Sequence, residues 1–109
     1  MLMTSATSIK GAGEIKKLGP VSGEYVIEEA TYKSMLAEMR QYHELRTPAY
    51  EEVVETAKET VMKEMTKKAE KLGANAIIGM NMYQEIVSYG RMMVIAGDGT
   101  AVFIDGLEE

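Results

Sequence analysis

The stretch TPAYEEVVETAKETVMKEMTKKAEKLG, residues 47–73, decides the fold, because it reads as one long amphipathic helix with both ends marked. Thr47 can accept an unpaired amide proton at the start, and Pro48 suits the first helical position, where an N–H would have no partner anyway. Val54, Ala57, Val61, Met65, Ala69 and Leu72 recur at helical spacing and form one apolar stripe. The opposite face is charged, with Glu51, Glu52, Glu55 and Glu59 early and Lys63, Lys67, Lys68 and Lys71 late, an order that complements the helix dipole. Glu59–Lys63 and Glu64–Lys68 stand four apart in the favourable direction. Gly73 supplies the left-handed stop.

Working outward, residues 75–87 alternate as a strand, with Ile78, Met80, Met82 and Ile86 expected on one face. Ser88-Tyr89-Gly90 reads as a turn, and residues 91–104 return as a second strand, with Gly97-Asp98-Gly99 expected as a bulge or kink. On the N-terminal side, Tyr32, Met35, Leu36 and Met39 give a helix over 31–42 capped by Thr31. Residues 20–27 read as a strand in which Gly23 marks a bulge. The order strand, helix, helix, strand, strand predicts an α+β fold: one domain over residues 1–109, with an antiparallel sheet carrying two amphipathic helices on one face.

Composition bounds the function. The 109 residues carry 12 Lys and Arg against 17 Asp and Glu, a net charge of −5, which argues against a nucleic-acid surface. With no cysteine, thiolate catalysis, thiolate metal sites and disulfides are excluded. No apolar run is long enough to span a membrane and no secretion signal is legible, so a cytoplasmic location is expected.

Four segments carry a resemblance: Leu18-Gly19-Pro20-Val21-Ser22-Gly23-Glu24, then Ala49-Tyr50-Glu51, then Leu72-Gly73-Ala74-Asn75-Ala76, then Gly99-Thr100-Ala101-Val102. In this order and spacing the chain resembles the YbjQ-like family of small bacterial and archaeal proteins, a family named for heavy-metal binding, from about Thr4 to Ile104. The resemblance implies a small α+β fold akin to dodecin-like subunits. It also implies ring-shaped homo-oligomers, typically pentamers, and brings no established reaction. The chain departs from the family where relatives carry Gly-Gly-Arg-Ser before the Tyr-Glu pair. Here the positions read Glu44-Leu45-Arg46-Thr47. A Gly-x-Asn segment before the first helix is Glu28-Glu29-Ala30-Thr31 in this chain.

Candidate chemistry is sparse. His43 is the single histidine, a weak candidate metal ligand and more simply a helix-end residue. Ten methionines include Met80 and Met82 on one strand and Met92 and Met93 on its neighbour, thioethers that suit Cu(I) but equally fill cores, as Met35, Met39, Met62 and Met65 do on helices. Arg46, Tyr50 and Glu51 gather at a helix start, where amide protons and a guanidinium favour a small anion; an ion pair from Arg46 to a nearby glutamate is the simpler account. The expectation is a non-enzymatic homo-oligomeric binding or scaffold protein with no cofactor, its partners being copies of itself and a small anionic ligand or metal ion. Alternatives are a heavy-metal binder with sites shared between subunits and an enzyme with an interface site near Arg46, Tyr50 and Glu51.

Overall fold

In the computed structural model, which describes residues 1–11, 13–43 and 47–107, six elements follow one another. They are β1 (Leu2–Met3), β2 (Ile15–Ile27), α1 (Glu29–Tyr42), α2 (Pro48–Lys71), β3 (Ala76–Val87) and β4 (Met92–Ile104). The α+β class is as expected. The sheet is mixed rather than antiparallel throughout. Its order is β1-β3-β4-β2, with β1 parallel to β3 and the other two pairings antiparallel. A two-residue strand carries no periodicity, so β1 was not legible.

Both ends of α2 follow the sequence signals. Thr47 Oγ1 accepts the Tyr50 N–H at 3.2 Å, Pro48 opens the helix, and Gly73 has φ +83° just beyond it. Val54, Ala57, Val61, Met65 and Ala69 are all buried, while Leu72, expected in the stripe, is 45% exposed at the C-cap. α1 starts earlier than predicted: Glu28 rather than Thr31 is the N-cap, without a side-chain hydrogen bond. Glu29 then lies in the first turn, where its charge suits the dipole. Lys33 Nζ, 2.9 Å from Glu29 Oε1, holds that carboxyl below its ordinary range through a hydrogen bond and its charge.

The two helices share one core with the odd-numbered residues of β2 beyond its slip and of β4 as far as Ala101: Val21, Ile27, Tyr32, Met35, Val61, Met65, Met93, Ile95 and Ala101 among them. Glycines let α2 lie close to the sheet. Gly23 of β2 pairs with Gly97 of β4, and neither marks a bulge. A Cβ on Gly23 would come within 3.0 Å of the Val61 carbonyl oxygen. One on Gly97 would meet Met82 Sδ at 2.6 Å and Met65 Sδ at 3.0 Å. Glu64 and Lys68 fasten the same contact: Glu64 Oε2 accepts the Glu24 N–H at 3.3 Å, Lys68 Nζ donates to the Ser22 carbonyl at 2.7 Å, and the two side chains pair at 3.3 Å.

The irregularity expected at residues 97–99 lies across the ladder, in β3. The register slips between Ile78 and Asn81, with Gly79 at φ +60°. One extra residue reverses the facing of a strand. Ile77 therefore joins the helix-side core, whereas Ile78 joins a second cluster with Ala76, Val102 and Ile104 on the far face. Beyond the slip, Met80 and Met82 return to the helix side. The expected grouping of Ile78 with Met80 and Met82 is thus corrected. The N-terminal segment clamps the slip: the Gly79 N–H donates to the Ala6 carbonyl at 2.8 Å, and the Met80 N–H to the Thr4 carbonyl at 3.0 Å. A second slip between Lys17 and Gly19 explains why only the end of β2 alternated cleanly in sequence.

The molecule is long for its size. Its extents are 52 × 23 × 18 Å and its radius of gyration is 16.8 Å, against about 13 Å for a compact chain of this length. Its accessible surface is 7252 Å², where a monomer of this mass exposes about 6,000 Å².

Two substitutions test the packing. Gly23→Ala presses a methyl on helix backbone that cannot step aside, and should cost about 1–2 kcal/mol in urea unfolding. Gly97→Ala meets two thioether tips and the Val61 Cγ1 methyl at 3.0 Å, side chains rather than helix backbone, and should cost less. A reversed ranking would show that α2 does not rest on Gly23. The Glu29 carboxyl titrates lower in the fold than in the unfolded chain, so its small contribution is present at neutral pH and fades as pH falls through the depressed folded value. Glu29→Gln should therefore narrow the stability gap between pH 7 and about pH 3.

Candidate functional site

Tyr50 and Glu51 occupy the first turn of α2, and the sheet rises beside them. Thr47, 1% exposed, fixes the turn: its hydroxyl takes the Tyr50 N–H and its carbonyl takes the Glu51 N–H at 3.0 Å. Tyr50 is thereby aimed across the gap to β3, where its hydroxyl donates to Gln84 Oε1 at 3.3 Å. Gln84 faces the helix because the slip at Gly79 has already reversed the strand. The result is a groove of about 210 Å³ lined by Tyr50, Glu51, Val54, Glu55, Lys58 and Gln84. Lys58 and Gln84 continue into a smaller opening of about 120 Å³ with Met82, Tyr83 and Ile95.

The sequence anticipated Tyr50 and Glu51 here, and the structure places both on the groove. Arg46, the third expected member, lies outside the described residues. Glu55, Lys58 and Gln84 were not anticipated. Lys58 carried a faint signal, since it falls four residues after Val54 and three before Val61, beside the apolar stripe. Gln84 carried none, because its facing depends on the slip. Lys58 is the one cation among the described lining residues, with Glu51 and Glu55 beside it. An anion held here would need charge from elsewhere.

His43 stands at the C-cap of α1, exposed, with φ +54° and its backbone N–H donated to the Met39 carbonyl. Among the described residues no three His, Cys, Asp or Glu side chains come close enough to hold a metal ion together. Nor is any described helix long and apolar enough to cross a membrane. A broader groove of about 510 Å³ runs along the outer side of α2, past Met3, Met62, Lys63, Thr66 and Lys67.

A small α+β fold with a shallow polar groove between α2 and β3 is the class these features define. The chain belongs to the YbjQ_1 family, described as "Putative heavy-metal-binding", whose model matches residues 1–105. It is 36% identical over 105 residues to a UPF0145 protein of Carboxydothermus hydrogenoformans, covering 96% of this chain and 97% of that one. Its fold is similar to the crystal structure of a DUF74-family protein of unknown function from Pediococcus pentosaceus, with a TM-score of 0.64 at 18% identity, covering 96% and 98% of the two chains.

Thr47→Ala removes the cap and a buried hydroxyl at the hinge of the groove. It should cost about 1–2 kcal/mol in thermal or urea unfolding, well above the effect of Tyr50→Phe, which loses one exposed hydrogen bond.

Proposed function

We propose that the chain acts as one subunit of a homo-oligomer, a pentameric ring, that binds or scaffolds a small partner without catalysis. The observation that carries this is the excess of surface: the chain exposes 7252 Å², about a fifth more than a monomer of its mass. The excess has a place. On the helix-free face, the second cluster covers only the end of the sheet around Ile78 and Ile104. Farther along, Val26 pairs with Val94 and Tyr83 with Ala96, leaving Val26 39% and Tyr83 51% exposed to water. A second copy is an occupant that can supply apolar cover, and the ring implied by the family resemblance requires this face to meet a different surface of the next copy, with a rotation that closes.

The groove at Tyr50 supports the same reading. At about 210 Å³ it falls short of the ~300 Å³ at which ligand pockets begin, so a neighbouring subunit would complete it. A second reading, a heavy-metal ion as the partner, is favoured by the description of the family.

Light scattering behind gel filtration decides the assembly. Several copies per particle are expected at micromolar concentration, with Val94→Lys shifting the protein to smaller species. A strict monomer would end the proposal.

A further inference from the structure

The donor chemistry narrows which metal this chain can hold. Hard and borderline ions need clustered carboxylates, imidazoles or thiolates. The chain has no cysteine and a single, exposed histidine. The described residues hold no group of three such ligands. What it has in quantity is thioether sulfur, in ten methionines. Two of those sulfurs converge. Met65 Sδ from α2 and Met82 Sδ from β3 lie 3.0 Å and 2.6 Å from the one point above Gly97 where a Cβ would stand. Any larger residue at position 97 would drive them apart. Met80, two residues before Met82, turns toward the same core. Met3 is a poorer donor, since its sulfur accepts the Thr66 hydroxyl at 3.7 Å.

Buried methionines commonly do no more than fill space. Here one of the pair is open to the surface. Met65 is fully buried, whereas Met82 is half-buried and lines the opening of about 120 Å³ beside Lys58, Tyr83, Gln84 and Ile95. That opening shares Lys58 and Gln84 with the Tyr50 groove, which sets Met82 next to the groove. Thioethers select soft monovalent copper or silver over zinc, nickel or magnesium.

We propose that Met65 and Met82, with Met80 beside them, form a site for a soft monovalent ion, Cu(I) or its redox-inert analogue Ag(I), reached through the groove between α2 and β3. This rests on the metal-binding reading and narrows it to one ion class and one place.

The test is titration of the full-length protein with Ag(I), and with Cu(I) kept reduced by ascorbate, followed by native mass spectrometry and by NMR of the methionine methyl groups. One ion per chain is expected, with the Met65 and Met82 methyl resonances moving and that of Met35, on α1, staying in place. Met82→Leu keeps the volume and should weaken Ag(I) binding at least tenfold, while Met35→Leu should not; circular dichroism checks that each variant is folded. Ag(I) binding that leaves the Met65 and Met82 methyls unmoved, or that survives Met82→Leu unchanged, overturns the site but not the metal reading. So does binding of zinc or nickel without silver. If none of these ions binds, both fall together.

Discussion

The approach of α2 to the sheet over Gly23 and Gly97 is the contact on which the other features rest. Because the two glycines are paired across β2 and β4, the helix axis can settle directly above them. Glu64 and Lys68 then bond to backbone groups of β2, an edge strand, and blunt part of an edge that would otherwise invite another strand. The same settling brings Tyr50 within reach of Gln84 and folds the thioethers of Met65 and Met82 into the space the missing side chain leaves. Groove, edge protection and sulfur pair are three outcomes of one helix height.

How much of this could be read from sequence depends on how local the cause is. α2 was legible to the residue at its start, because Thr47 and Pro48 act within one turn, and its buried stripe was right except for Leu72 at the C-cap. The turn at residues 88–90 was legible for the same reason: left-handed φ at Ser88, Tyr89 and Gly90 is a local demand. β1 and the facing of β3 were not, since both are settled by partners far away in the chain. Glycines at 23, 97 and 99 read in sequence as signs of irregularity within their own strands. They are instead places where another element comes close: Val61 and Glu64 over Gly23, two methionines over Gly97, and Ile77 across from Gly99. A glycine in a strand announces crowding or a bend, and sequence alone does not say which. The candidate site divides in the same way: Tyr50 and Glu51 share one helical turn and were found together, whereas Lys58 and Gln84 join them only through tertiary packing.

The shape of the chain is uneconomical for its size. A chain of this mass could enclose its apolar residues more economically in a rounder body. This one draws them into a long sheet with helices over one face, and leaves valine and tyrosine on the other. In the proposed assembly a neighbouring copy would cover that surface.

The clamp on Gly79 and Met80 by the carbonyls of Ala6 and Thr4 reaches further than its two hydrogen bonds suggest. Those bonds hold the point at which β3 changes facing, and so decide which of its side chains look toward the helices. The segment around Thr4 and Ala6 therefore helps govern the far hairpin, so a lesion made there would be felt at Gln84, farther along β3 from where it was made.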